Sequence, residues 1–219
     1  NFANALTTAE FWRSVGRTGL YLTAILIELA IGTLIATVFF LLKDNAFTKI
    51  LRALMLVSLF VPPVVSGIIW RNMMLPGVGV LPYIFGDINW LGSPKLIMVT
   101  VIMIDVWQWM PFVMLLIYSY MQAINPSVLE AAKIDGADTW LTVKNIILPM
   151  SFSGILVAAV IRLIFAFRSF DNVWSVAQGG PASASETLPV YLYKQSFQIF
   201  KISYGSAVAI LLVIALVFI

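Results

Sequence analysis

Residues 20–42 form an unbroken apolar stretch that contains one charged side chain, Glu28. A helix of that length rises about 35 Å at about 1.5 Å per residue. That is enough to cross a hydrocarbon layer about 30 Å thick. Comparable stretches recur at residues 51–70, 96–120, 150–167 and 204–219. The chain is therefore expected to be all-α, a polytopic bundle with five membrane spans. The final stretch rises only about 24 Å, so its helix is expected to continue past Ile219. The chain starts at Asn1 without an initiator Met or a signal-peptide pattern, and its true N-terminus is expected upstream.

Composition excludes several kinds of chemistry. The 219 residues are 61% hydrophobic and 11% charged, whereas soluble domains are nearer half apolar and a quarter charged. Cysteine and histidine are both missing from the sequence. That removes thiolate and imidazole metal sites, cysteine nucleophiles and histidine bases. The net charge of +3 is scattered, without the basic stripe that nucleic acid requires. A Gly-x-x-x-x-Gly-Lys-Ser/Thr loop is also missing, so the chain has no nucleotide cradle of that kind. Gly179-Gly180-Pro181 lacks the following lysine.

Three ions sit inside apolar spans: Glu28, Asp105 and Arg162. A charge at that depth costs about 2.5–3.5 kcal/mol on insertion scales. Such groups should face the bundle interior. Two readings are open: a structural ion pair of Arg162 with Asp105 or Glu28, or the lining of a solute path. Pro62-Pro63 removes two backbone donors from the second span and should bend it. Gly32 with Ala36, and Gly154 with Ala158, offer small faces for close helix approach. Residues 72–95 read as a Gly/Pro-rich loop and residues 187–202 as an interfacial helix.

Residues 121–149 connect the third and fourth spans. Asn125 can cap a first helix with Pro126 at its first position. Gly136 can end that helix in a left-handed conformation. Asp138 can cap a second helix, in which Trp140, Val143, Ile146 and Ile147 fall three to four apart, and Pro149 would close it or start the next segment. The expected product is a small helix–turn–helix outside the lipid, with one apolar stripe and one polar face.

This connector resembles the coupling ("EAA") loop of ABC-importer permeases. Glu130-Ala131-Ala132, Asp135-Gly136-Ala137, Ile146 and Pro149 match its spacing, and Val143 stands where an aromatic is usual. Further landmarks are similar to sugar-type permeases: the Phe-Trp before the first span, Trp70-Arg71, Trp107 before Pro111-Phe112, and Gly179-Gly180-Pro181. The resemblance implies a type I ABC-importer permease fold, with residues 1–219 as one transmembrane domain and six spans in the full protein. It places the coupling loop in the cytoplasm and residues 1–17, 72–95 and 173–203 outside. The location implied is the inner or plasma membrane of a prokaryote. Lys and Arg do not follow the positive-inside rule on that topology.

The resemblance implies a non-enzymatic subunit that holds no cofactor or metal. ATP and Mg²⁺ would belong to two ATP-binding cassette partners. The other implied partners are a second permease subunit, an external solute-binding protein, membrane lipid, and a sugar or sugar-acid substrate. Glu130, Ala131, Ala132, Asp135, Gly136 and Ala137 would contact the ATPase. Asp105, Gln108, Trp109 and Phe112 would line one wall of the solute site, and Arg162, Phe165 and Ser169 the facing span. Charged Asp105 and Arg162 depart from the family's uncharged pattern and raise an acidic or phosphorylated sugar as the solute. The alternatives are an ion- or proton-coupled carrier using Glu28, Asp105 and Arg162 as a relay, an ABC permease for a non-sugar solute, and a membrane scaffold without a path.

Overall fold

A computed structural model describes residues 1–42, 44–86 and 88–218. Lys43 and Ile219, the last residue of the fifth apolar stretch, lie outside the described residues. Helices α1 (Phe2–Thr7) and α2 (Ala9–Tyr21) lead into α3 (Thr23–Leu41). Helix α4 (Ala46–Met55) passes into a 3₁₀ turn at Leu56–Phe60, and α5 (Pro63–Met73) follows the double proline. After α6 (Val80–Phe85) comes α7 (Ile97–Gln122), which runs through Pro111. The connector holds α8 (Pro126–Ile134), α9 (Thr139–Thr142) and α10 (Leu148–Met150), with a π-helical stretch at Val143–Ile147 between the last two. Then come α11 (Phe152–Phe167), α12 (Asp171–Ala177), α13 (Leu188–Tyr193) and α14 (Ile202–Val217). Among the described residues there is no strand.

Ala9–Leu41 and Ile97–Gln122 are long and apolar enough to cross a membrane. Two further candidates are broken helices, Ala46–Phe60 with Pro63–Met73, and Thr139–Met150 with Phe152–Phe167. The first break falls at the double proline, as its two missing donors require. Ile202–Val217 is apolar but shorter. Each of the five expected apolar segments thus contains helix, and among the described residues two helices, or four counting each broken pair as one, are long and apolar enough for a span. The first is longer than expected, because α2 extends it back to Ala9.

Backbone contacts divide the chain into two compact units, both discontinuous in sequence. One contains Asn1–Ala24, Val61–Asp105 and Leu163–Ile219; the other contains Ile25–Phe60 and Val106–Arg162. In the first, Ala5, Phe11, Leu188, Tyr191 and Val208 form a buried apolar cluster. Thr18 accepts a hydrogen bond from the Leu188 amide at 2.8 Å, tying α2 to α13. Helices α5 and α12 pack so closely that a Cβ on Gly67 would lie 1.8 Å from Ser175 Oγ. Phe170 stacks on Trp174, and Tyr193 packs at an angle against both rings.

The second unit has a core built on Ala36, Val113, Met114, Ile117, Met121, Val143, Ile147 and Ala158. Both small faces expected from the sequence are used here. A Cβ on Gly32 would meet Val113 Cγ1 at 2.8 Å, and one on Gly154 would meet the Tyr120 ring at 2.5 Å. Arg52 donates to Tyr118 and, at 2.5 Å, to Asp44. Lys49 also lies 3.3 Å from Asp44. Desolvation works to raise the Asp44 carboxyl, but hydrogen bonds and charge from Lys49 and Arg52 outweigh it and hold the group below its usual value.

Candidate functional site

The charges inside the second unit are paired. Arg162 donates from Nε to Glu28 Oε2 at 2.5 Å and from Nη2 to Oε1 at 2.8 Å. Arg162 is 1% exposed and Glu28 fully buried. A planar guanidinium meeting a carboxylate through two parallel bonds is the geometry that best offsets desolvation. The guanidinium also lies over the Trp109 ring, 4.8 Å from its centroid. Trp109 packs edge-on against Phe112. One side of Arg162 is thus held by a carboxylate and one face by an aromatic ring.

On α7 the expected site residues recur at 105, 108, 109 and 112, the spacing of one helix face. Asp105 and Gln108 are buried, while Trp109 and Phe112 are half-buried. Ser58 donates to the Gln108 carbonyl at 3.2 Å. In the first unit Asn172 Nδ2 lies 3.4 Å from Asp105 Oδ1. Tyr21 donates to Ser169 Oγ at 3.0 Å. Phe165 is exposed on α11. The structure therefore brings Arg162 to Trp109, and Trp109 to Phe112, within one unit. It gives Asp105 and Ser169 local partners in the other. Asn172 and Tyr21 did not stand out in the sequence, because a polar side chain at the edge of a span looks like any interfacial residue until its partner is known.

The connector follows its sequence closely at its turns. Asn125 Oδ1 accepts from the Ser127 amide at 3.1 Å, and Pro126 opens α8. Gly136 adopts φ +78°. The Ala137 amide donates to the Ala132 carbonyl at 2.9 Å and the Gly136 amide to the Lys133 carbonyl at 3.1 Å. That pair of bonds satisfies carbonyls left open at a helix end. Asp138 then caps α9 through the Leu141 amide at 2.7 Å. Glu130, Ala131, Asp135 and Gly136 are exposed, Ala137 is half-buried and Ala132 buried.

Two details of the connector differ from expectation. Val143 and Ile147 enter the core, but Trp140 is 69% exposed and lies off the buried stripe. The reason is local: the π-helical stretch Val143–Ile147 changes the angular step between residue 140 and those that follow. The outer face is not purely polar either, since Ile134 is 86% exposed. Pro149 closes the helix to within one residue, as expected: the segment from Thr139 ends at Met150, and the 55° bend follows before Phe152.

A helical membrane subunit with a buried polar-aromatic face and an exposed, capped helix pair defines a class, the transmembrane component of a transporter. Residues 28–219 match the family model of the binding-protein-dependent transport system inner membrane component, and the chain belongs to that family. A probable ABC transporter permease protein, y4oQ, of Sinorhizobium fredii is 32% identical over 216 residues, covering 95% of this chain and 69% of the relative. The trehalose/maltose transport system permease protein MalF of Thermococcus litoralis is 29% identical over 218 residues, covering 96% of this chain and 72% of that protein. The crystal structure of a bacterial alginate ABC transporter bound to its periplasmic protein aligns with a TM-score of 0.88 at 22% identity. That alignment covers 99% of this chain and 78% of the other, and shows the fold, the type I permease. The chain is thus an ABC-importer permease subunit rather than an ion-coupled carrier, a scaffold or the ATPase itself.

Proposed function

We propose that this subunit forms part of the path for a carbohydrate and couples it to ATP hydrolysed by partner subunits. The observation that carries the solute side is the α7 face of Asp105, Gln108, Trp109 and Phe112. It combines hydroxyl-binding polar groups with aromatic surface for the C–H side of a sugar. The trehalose/maltose permease of Thermococcus litoralis supports the same solute class. Phe165 and Ser169 are proposed as contacts from α11 and its end.

Arg162 enters this reading as a positioning residue. Its Nε and Nη2 bind Glu28 and its face holds Trp109, so it fixes an aromatic wall. Whether the solute is acidic or phosphorylated then depends on groups other than those two nitrogens. We propose α8 and α9, with Glu130, Ala131, Ala132, Asp135, Gly136 and Ala137, as the ATPase docking element. The assembly would hold a second permease, two ATP-binding cassette subunits carrying ATP and Mg²⁺, and an external binding protein, in a prokaryotic cell membrane.

Uptake by the full complex in vesicles tests both halves. Solute entry should require ATP and persist when the proton gradient is collapsed. Trp109→Ala should raise the KM for the sugar by about five- to thirtyfold, as loss of one stacked contact of about 1–2 kcal/mol would. A panel of neutral sugars and sugar acids presented through the binding protein defines the solute. Transport of amino acids in place of any sugar overturns the carbohydrate reading.

A further inference from the structure

A groove of about 820 Å³ lies in the second unit, between α3 and the helix running from α9 to α11. Leu34 and Thr37 form one wall; Trp140, Lys144, Phe152 and Ile155 line the other. Thr37 donates its hydroxyl to the Thr33 carbonyl of its own helix at 2.8 Å, so that wall presents carbon. Leu34, Trp140 and Phe152 are more than half exposed. Lys144 is exposed at one end, and among the described residues its ammonium has no acidic partner within ion-pair distance. The groove is therefore apolar along its length and cationic at its mouth.

We propose that this groove binds one anionic phospholipid. An acyl chain lies between Leu34 and Phe152, and the phosphate accepts from Lys144. The chain belongs to an inner-membrane family, so the apolar end of the groove faces hydrocarbon. Lys144 precedes Phe152 by eight residues, at most about 12 Å of helix rise, and the bend shortens that distance across the bilayer. Lys144 thereby comes to headgroup level, where the hydrocarbon core ends and a polar layer of about 5–8 Å begins. Trp140 sits beside it, as interfacial tryptophans do.

The size and charge of the groove exclude a protein helix as its occupant. A helix is about 10–12 Å across, so the volume would hold roughly two turns or fewer. An apolar helix seated there would press hydrocarbon against the Lys144 ammonium and leave it without a counter-charge. A phospholipid is slimmer and brings both the chain and the anion. This inference does not depend on which solute is carried.

The test uses the assembled transporter in lipid nanodiscs of phosphatidylcholine. Phosphatidylglycerol carrying a photoactivatable group on its acyl chain is compared with phosphatidylcholine carrying the same group, and labelled peptides are mapped by mass spectrometry. Peptides containing Leu34 and Phe152 should be labelled about fivefold more by phosphatidylglycerol, the preference that one lysine near an anionic lipid gives. Lys144→Gln and Lys144→Glu should each bring that ratio to about one. Labelling at Ile210, exposed on α14, should be alike for both lipids in every variant. Equal labelling of the groove by the two lipids in the unaltered protein overturns the proposal. So does a preference that survives both substitutions. Labelling at Ile210 but none at Leu34 and Phe152 overturns it too, since another protein segment then covers the groove.

Discussion

At the scale of single residues, the pair Glu28–Arg162 governs the second unit. Burying either charge alone is costly, and removing one partner of a buried pair strands the other at about 3–5 kcal/mol. Replacing both with apolar residues of similar size removes the charge and most of that cost. Glu28→Leu and Arg162→Met should therefore each lower the melting temperature of the purified complex, and the double variant should regain most of the loss. Additive losses in that cycle would show that the two side chains act separately. The sequence marked both ions as buried and functional or paired, because charge inside a span is expensive wherever it lies. It left Asp105 and Glu28 open as partners of Arg162. Glu28 is 134 positions away along the chain, and only the packing of α3 on α11 brings it within 2.5 Å.

Among the elements, the connector and the small helix faces were the most legible. Gly136 shows why: only glycine adopts φ +78° without strain. Gly136→Val should cost about 1–3 kcal/mol locally and displace α9 from α8. ATPase subunits should then co-purify poorly with the complex, and ATP-driven uptake should fall; normal co-purification with normal uptake would contradict the docking role. Gly32 is a second case. A Cβ there meets Val113 Cγ1 at 2.8 Å, so Gly32→Ala should destabilise the packing of α3 on α7 by about 1–3 kcal/mol. Val113→Ala in the same chain removes that atom and should restore part of the loss, as thermal denaturation would record. The π-helical stretch Val143–Ile147 was not legible. Its residues have ordinary helical spacing, and Val143 and Ile147 stand four apart, as any α-helix would place them on one face, so no local pattern announces the wider turn. Trp140 was misplaced for that reason.

For the molecule as a whole, the functional prediction is directional transport. Asp105→Asn replaces a buried carboxyl with an amide and should change the solute KM measurably while the complex still assembles, as uptake assays and size-exclusion chromatography would show together. An unchanged KM would assign Asp105 to structure alone. The helical class, the membrane setting, the capped connector and the kinship with ABC permeases were all determined by sequence. Each rests on local or periodic physics: apolar length against bilayer thickness, proline and glycine geometry, side-chain caps, and a motif of fixed spacing. Tertiary structure alone decided the partners of the buried charges, the exposure of Trp140, the close approach of Gly67 to Ser175, and the cationic mouth of the groove beside α3. These depend on segments distant in sequence meeting at ångström precision, which burial and packing impose and no local pattern encodes.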